Sequence, residues 1–336
     1  MSEHPALVAS MSNRARELQK LSGTGVESWK KRRHLLDTKD ISAAELETVV
    51  TAATICKEMI AGGEGPQPLL TTRTIANLFY ENSTRTRSSF ELAAKRLGAT
   101  VINLDIGTSS VAKGETIVDT GRTLAAMAVD AFVQRHNCSG SAMQIARELG
   151  DRVHVINAGD GWNGHPTQAL LDYFTMHEIR GSLKGAKVAI VGDITHSRVA
   201  RSNIWLLTAM GADVHIAGPP TLVPPELSSF GVTVHNKLEP AIEGADFIMV
   251  LRLQLERQKQ GLIPSIGEYR RVYRMDHARL KLAAENAKVM HPGPMNRDLE
   301  ITHALADDPE KSLVLTQVGN GVAVRMAVLY LLLNKN

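Results

Sequence analysis

The chain of 336 residues is 43% hydrophobic and 22% charged, which is ordinary for a globular protein, and its formal net charge is +3. Residues 1–34 carry seven Lys/Arg and three acidic residues, so the remainder is close to neutral and we expect no nucleic-acid-binding surface. No apolar run approaches the roughly 18–20 residues that cross a bilayer, and we find no secretory signal, so we expect no membrane association.

The length predicts two domains that together bury a sizeable core. The two cysteines, Cys56 and Cys138, lie far apart without metal-ligand spacing, which favours free thiols and a cytoplasmic location. Residues 1–33 are polar and weakly patterned. We interpret them as an N-terminal extension that is flexible or folds only on a partner.

The most distinctive stretch, residues 75–98, reads as a buried strand, a polar turn and a helix. Asn82, Ser83 and Thr84 are residue types that cap a helix, because their side-chain oxygens accept backbone N–H groups. Arg85 and Arg87 follow in the first turn, where the helix macrodipole is already positive. Free N–H groups, hydroxyls and a guanidinium together indicate a phosphate site. The alternative is two solvated arginines on an amphipathic helix.

Three further polar segments come next. Residues 105–115 form a hydroxyl-rich loop with one lysine, which can hold an anion but also matches an ordinary surface loop. The strand 131–135 ends in Arg135, at the edge where open α/β sheets bind ligands, although a structural role is as consistent. Residues 158–168 place three glycines before His165 and Gln168, so backbone can approach a ligand closely there.

A second series of strands and helices begins after Gly181. Arg198 starts its first helix, and Arg252 and Gln254 follow a later strand. The dinucleotide fingerprint G-x-G-x-x-G is absent.

The order of elements predicts an α/β fold with two similar-sized domains, each a mainly parallel sheet flanked by helices. We expect the apolar C-terminal helix at residues 322–333 to pack back on the first domain. We assign residues 34–165 and 321–336 to the first domain and residues 166–320 to the second.

Taken together, these residues resemble the catalytic chain of the aspartate carbamoyltransferase family over residues 36–333. The resemblance is carried by an ordered set of motifs: Ser83-Thr-Arg-Thr-Arg87, Lys113-Gly-Glu115, Arg135-His136, His165-Pro-Thr-Gln168, Asp193 through Arg198, Arg252-Leu-Gln254 and His291-Pro-Gly-Pro294. It implies transfer of the carbamoyl group of carbamoyl phosphate to the amino group of L-aspartate, giving N-carbamoyl-L-aspartate and phosphate. This reaction is the committed step of de novo pyrimidine biosynthesis.

The resemblance also assigns roles to residues. Carbamoyl phosphate would be held by Ser83, Thr84, Arg85, Thr86, Ser109, Lys113, Arg135, His165 and Gln168. Of these, Arg85, Thr86, Lys113, Arg135 and His165 would be catalytic, with Thr86, Arg135 and His165 donating to the carbonyl oxygen as it gains charge. Gln168 would orient the carbamoyl NH2 group. Aspartate would be bound by Lys113, Arg198, Arg252, Gln254, Gly293 and Pro294, because guanidinium groups match carboxylates.

Several further expectations follow from the same resemblance. The family works as a homotrimer in which Ser109 and Lys113 enter the neighbouring subunit's active site. We expect no metal and no organic cofactor, since the departing phosphate can take the proton of the amine. A regulatory chain or a dihydroorotase-like protein is a candidate partner. Glu81 is the expected partner of Arg198 and Arg257 across the gap between the domains.

The sequence also bears on three other functions. Ornithine carbamoyltransferases share the fold but carry Ser-Met-Gly and His-Cys-Leu-Pro motifs, which this sequence lacks. Two arginines suit a dicarboxylate and repel a cationic amine. A noncatalytic homologue would not need to retain the phosphate, carbonyl and carboxylate groups together. A nucleotide-binding protein is disfavoured by the missing glycine fingerprint.

Overall fold

The computed structural model describes residues 11–104, 115–254, 262–263 and 265–334 and divides the chain into two compact units. The first unit is Met1–Phe174 with Gly319–Asn336, and the second is Thr175–Val318. The sequence placed the boundary at residue 165, whereas the structure divides the chain inside the following helix. The reason is packing, since Phe174 is 1% exposed and Lys57 of the first unit lies 5.8 Å from its ring centroid.

The first unit contains a four-stranded parallel sheet. Its elements are α1 (Asn13–Gln19), α2 (Thr24–Lys31), α3 (Ala43–Ala61), β1 (Thr74–Phe79), α4 (Thr84–Arg96), β2 (Thr100–Leu104), α5 (Ile117–Ala126), β3 (Ala131–His136), α6 (Ser141–Leu149), β4 (His154–Asp160) and α7 (Pro166–Arg180), which runs into the second unit.

The strand order in this sheet is β2-β1-β3-β4. The chain therefore adds β2 on one side of β1 and then β3 and β4 on the other side, so the topological switch point lies between β1 and β3. Ile75 of β1 pairs with Val101 on one side and with Ala131 on the other. Five of the six β1 residues are buried, as expected for a central parallel strand covered on both faces. The segments that follow β1 and β3 therefore leave the sheet side by side at its carboxyl edge, where such sheets bind ligands.

The expectation of a loosely ordered N-terminal extension is wrong for residues 11–33. Two of the helices, α1 and α2, pack against α3, and Trp29 has no exposed surface. The Trp29 indole Nε1 donates to the carbonyl of Glu45 at 3.0 Å, and Arg32 forms a 2.8 Å ion pair with the same glutamate. Apolar positions that were too few to show a periodic pattern are buried against a neighbouring helix.

The second unit contains a five-stranded parallel sheet in the order β7-β6-β5-β8-β9. Its elements are β5 (Lys187–Val191), α8 (Arg198–Ala209), β6 (Asp213–Ala217), β7 (Thr233–His235), α9 (Leu238–Ile242), β8 (Phe247–Val250), α10 (Ile266–Tyr273), α11 (His277–Leu280), β9 (Lys288–Met290), α12 (His303–Ala306) and α13 (Val314–Leu333), which ends in the first unit. Because β5 lies between β6 and β8, this sheet also has a topological switch point, between β5 and β8.

The C-terminal helix α13 belongs to the first unit from Gly319 onward, as the sequence predicted. By length and composition it is the one helix of the described residues that could cross a membrane, but 72% of its most apolar window is buried inside the protein. Residues from Ala323 to Leu333 are at most 4% exposed, so this surface is covered by protein.

Candidate active site

The N-terminus of α4 carries the residues expected to bind phosphate. Ser83 is the N-cap in an extended conformation, yet among the described residues no side chain caps this helix and no acid lies in its first turn. The Ser83 hydroxyl instead donates to Oγ1 of Thr86 at 3.1 Å. The sequence expectation of a hydroxyl cap is therefore wrong, and the first-turn N–H groups and the positive end of the dipole remain available to an anion.

Arg85 adds a cation to this helix end. Its side chain is exposed, and within the described residues no carboxylate is paired with it. Partial desolvation lowers the pKa of the Arg85 guanidinium from its ordinary value, but a guanidinium remains protonated at neutral pH. Thr84 is exposed and Thr86 is 7% exposed. Two hydroxyls, open N–H groups and a cation thus converge where the sequence predicted a phosphate site.

Arg135 lies at the end of β3, beside the segment that follows β1. Its Nη2 donates to Oε1 of Glu81 at 2.6 Å, and its Nη1 donates to the carbonyl of Ala158 at 3.1 Å. The guanidinium is thereby held by groups from the ends of both flanking strands. The expected partners of Glu81 were Arg198 and Arg257, and Arg257 lies outside the described residues.

The glycine-rich segment after β4 is organised by Asp160, a residue that the sequence analysis did not single out. Asp160 is 1% exposed, and its carboxylate accepts hydrogen bonds from the Gly140 N–H at 2.7 Å, the Asn157 amide at 2.8 Å and the Gly164 N–H at 3.1 Å. An aspartate inside a glycine-rich turn is a recognisable signal, because its side chain commonly accepts from nearby backbone.

His165 and Gln168 lie at the start of α7 and are 4% and 8% exposed. The His165 carbonyl accepts the Gln168 N–H at 2.9 Å, which begins the helix. The Gln168 side-chain Nε2 donates to Oδ1 of Asp172 at 2.9 Å. The structure thus brings the ends of β1, β3 and β4 and the start of α7 to one edge of the first sheet. Arg135, His165 and Gln168 lie on these segments together with the α4 N-terminus.

In the second unit, the turn after β5 holds Arg198 at the start of α8. Asp193 has no exposed surface, and its Oδ1 is 2.8 Å from Nδ1 of His196. Ser197 is the N-cap of α8 and accepts the Ala200 N–H at 3.1 Å. Arg198 directly follows Ser197 and is 6% exposed.

The other predicted residues of the second unit follow β8 and β9, at the same edge of its sheet. Gln254 donates from Nε2 to the His196 carbonyl at 3.3 Å, which joins the segment after β8 to the turn after β5. Arg252, two residues past β8, is half-buried. His291 accepts the Gly293 N–H on Nδ1 at 2.8 Å.

The segment after β9 adopts a special backbone. The Gly293–Pro294 peptide bond is cis. Gly293 has a φ of 59°, which glycine adopts without steric penalty. This conformation is a backbone reason for glycine at this position.

Two of the predicted site residues, Ser109 and Lys113, lie outside the described residues. Every other predicted site residue is described, and each lies at the carboxyl edge of the sheet of its own unit.

The sequence matches two family models that together cover most of the chain. Residues 33–178 match the carbamoyl-P binding domain of aspartate/ornithine carbamoyltransferase, and residues 184–332 match the Asp/Orn binding domain of the same enzymes. The chain belongs to the aspartate/ornithine carbamoyltransferase family.

Within this family, curated relatives named aspartate carbamoyltransferase catalytic subunit are about half identical to the chain. The protein of Thermosynechococcus vestitus is 52% identical over 311 residues, which cover 90% of this chain and 94% of the relative. The protein of Ruminiclostridium cellulolyticum is 53% identical over 302 residues, which cover 90% and 96%.

Solved carbamoyltransferase structures agree with the fold. Aspartate transcarbamoylase from Trypanosoma cruzi, in complex with carbamoyl phosphate and aspartate, superposes with a TM-score of 0.80 at 31% identity and covers 90% of this chain and 97% of that one. Ornithine carbamoyltransferase from Pyrococcus furiosus gives a TM-score of 0.79 at 31% identity, with 90% and 98% covered. The fold is common to both activities, so the second substrate must be argued from the side chains and from the sequence relatives.

Proposed function

We propose that this protein transfers the carbamoyl group of carbamoyl phosphate to the amino group of L-aspartate. The observation that carries the proposal is the pair of arginines, Arg198 and Arg252, at the carboxyl edge of the second sheet, after the adjacent inner strands β5 and β8. A guanidinium presents parallel N–H groups that match a carboxylate, and L-aspartate has two carboxylates. The cationic side chain of ornithine would be repelled by the same pair.

The first unit supplies the complementary site for carbamoyl phosphate. The phosphate would sit on the α4 N-terminus, held by Ser83, Thr84, Thr86 and Arg85. Arg135 and His165 would donate to the carbonyl oxygen, which becomes an oxyanion when the amine adds to the carbon. Donors that are already aimed at that oxygen lower the barrier because they need no reorganisation during the reaction.

The reaction balances without an added base. The amine nitrogen forms a bond to the carbonyl carbon, the bond from that carbon to the phosphate oxygen breaks, and the departing phosphate takes the proton of the amine. Most of the acceleration would then come from positioning and electrostatics, and no metal or organic cofactor takes part.

The test is the formation of carbamoyl aspartate from carbamoyl phosphate and L-aspartate, with L-ornithine as a parallel acceptor. Turnover with aspartate and none with ornithine is expected. Citrulline formation with ornithine would contradict the assignment of Arg198 and Arg252 to a dicarboxylate. A folded protein that binds carbamoyl phosphate but turns over neither acceptor would contradict the activity itself.

We further propose a cytoplasmic homotrimer with shared active sites that serves pyrimidine biosynthesis. Ser109 and Lys113 would reach the neighbouring subunit's site, so a mixture of Lys113→Ala and Arg85→Ala chains should regain activity that neither variant has alone. The free thiols of Cys56 and Cys138 are consistent with a reducing compartment. Relatives named catalytic subunit support a regulatory chain as a partner.

A further inference from the structure

Two buried charged side chains of the first unit are Asp172 and Arg325, and Asp172 contacts the Gln168 side chain. Asp172, one helical turn after Gln168 on α7, has no exposed surface, and Arg325 on α13 is 4% exposed. The Arg325 guanidinium lies 5.1 Å from the centroid of the Phe90 ring, on α4. A charge buried in the protein interior destabilises the fold unless an opposite charge compensates it.

The charges around Arg325 explain how it is tolerated. Burial lowers the pKa of Arg325 to about 10, with Asp172 acting to raise it and Arg85 to lower it. The guanidinium therefore stays protonated at neutral pH, and Asp172 is the carboxylate that favours its charged form. The Asp172 carboxylate can only accept hydrogen bonds.

An acceptor-only Asp172 determines which way the Gln168 amide points. Gln168 donates from Nε2 to Oδ1 of Asp172 at 2.9 Å, so the amide NH2 is directed at the carboxylate and the carbonyl Oε1 is directed away from it. In that orientation Gln168 presents an acceptor. A carbamoyl group offers an NH2 donor to such an acceptor, whereas the acetyl group of the same size offers only a methyl.

A glycine in α13 makes room for the arginine. A Cβ atom at Gly321 would lie 2.6 Å from Nη1 of Arg325 and 3.4 Å from Cδ2 of Leu171. A glycine inside a helix is unfavourable relative to alanine, so its presence here needs a reason, and space for the guanidinium provides one. Gly319, two residues earlier in the same helix, is exposed and has no atom within 4 Å of the corresponding Cβ position.

We propose that Asp172 and Arg325 are positioning residues that lock the Gln168 amide with its oxygen toward the substrate, and that this lock makes the site prefer a carbamoyl over an acetyl phosphate. The proposal rests on the proposed function, since it assigns carbamoyl phosphate to the first unit. Neither residue touches the substrate, and both act through Gln168.

The test is the ratio of dissociation constants for acetyl phosphate and carbamoyl phosphate, measured by titration calorimetry on the full chain. Gly321→Ala keeps every functional group but displaces the guanidinium, and Gly319→Ala is the matched control. We expect Gly321→Ala to lower the ratio roughly tenfold, because carbamoyl phosphate alone loses about one hydrogen bond, from its NH2 group to the Gln168 oxygen. Gly319→Ala should keep the wild-type ratio.

A second variant tests the carboxylate directly. Asp172→Asn allows the Gln168 amide to turn, so the ratio of dissociation constants should fall as in Gly321→Ala. Arg325→Met should also lower this ratio. Arg325→Lys keeps the charge and should therefore retain part of the selectivity that Arg325→Met loses. A folded Gly321→Ala protein with the wild-type ratio, or with equal losses for both ligands, would overturn the proposal. Wild-type protein that binds neither phosphate would contradict the proposed function instead.

Discussion

Arg135 donates a 2.6 Å hydrogen bond from Nη2 to Oε1 of Glu81, which ties the end of β3 to the segment after β1. The two residues are 54 positions apart, and the side chains are 12% and 22% exposed. A charge-assisted hydrogen bond in a largely buried place restricts the guanidinium to one direction. The orientation of the donor proposed for the carbonyl oxygen thus depends on a carboxylate.

Replacing this carboxylate should weaken the use of carbamoyl phosphate. We expect Glu81→Gln to lower kcat/KM for carbamoyl phosphate about tenfold, because a neutral amide holds Arg135 less firmly. The control is Glu148→Gln, which removes a 2.8 Å ion pair with Arg122 on the exposed surface. If only the aspartate saturation curve changes, Glu81 acts on the binding of the second substrate instead.

Arg198 and Arg252 of the second unit should affect the KM for aspartate but not the affinity for carbamoyl phosphate. Arg198→Met and Arg252→Met each remove a guanidinium, and we expect the KM for aspartate to rise about 100-fold in each. Arg201→Met is the matched control, because Arg201 lies on the same helix as Arg198 but is exposed. Carbamoyl phosphate affinity, measured without aspartate, should be unchanged. An equal rise of the KM for aspartate in the Arg201 variant would mean that these arginines act by long-range electrostatics rather than by direct contact with aspartate.

Gly161 should not tolerate a side chain. It has a φ of 47°, and a Cβ atom there would lie 2.4 Å from Oγ and 2.5 Å from N of Ser139. We expect Gly161→Ala to reduce the free energy of unfolding by about 3 kcal/mol or more, from backbone strain and overlap together. Gly63→Ala, at a φ of 65° in open space, should cost only about 1 kcal/mol. Urea unfolding of both variants measures the difference, and equal losses would exclude the steric term.

The N-terminal helices should contribute to the stability of the first unit. Trp29 is fully buried, so we expect Trp29→Ala to reduce the free energy of unfolding by about 3–5 kcal/mol. Trp162 is 44% exposed, and Trp162→Ala should cost under about 1 kcal/mol. Similar small losses in both variants would support the sequence expectation of a loosely attached extension.

Stability should decrease in mild acid because of a histidine pair at the edge of the second sheet. Nδ1 of His215 lies 2.8 Å from Nε2 of His235, and the other His215 nitrogen lies 3.1 Å from a carboxylate oxygen of Asp213. Burial lowers the pKa of His235, and the neighbouring His215 and Lys187 lower it further. Protonating both rings would place two N–H donors face to face.

The direction of this pH effect on stability follows from the number of protons bound in the folded and unfolded states. Below the ordinary histidine pKa of about 6.5, the unfolded chain binds more protons than the folded chain, so the free energy of unfolding falls as the pH decreases toward the lowered pKa. His235→Gln should therefore lose less stability than the wild type when the pH falls from 7.5 to 5.5. Urea unfolding at several pH values measures this, and parallel pH curves would contradict it.

Several parts of the fold were readable from the sequence because their causes are local. The strand predicted at residues 131–135 differs from β3 (Ala131–His136) by one residue. Side-chain periodicity and helix-breaking glycines act over a few neighbouring residues, so they can be read without knowing the fold. The site residues could be placed at strand ends for the same reason.

What the tertiary structure alone decided involves residues that are distant in the chain. The partner of Glu81 depends on the order of strands in the sheet, which places the β3 end beside the β1 end. Asp172 was one turn from Gln168 and could have been noticed as an i, i+4 pair, and Arg325 was a lone cation in an apolar helix. Which charge meets which in the interior is determined by packing, because a buried ion is stable only where the fold brings its partner to it.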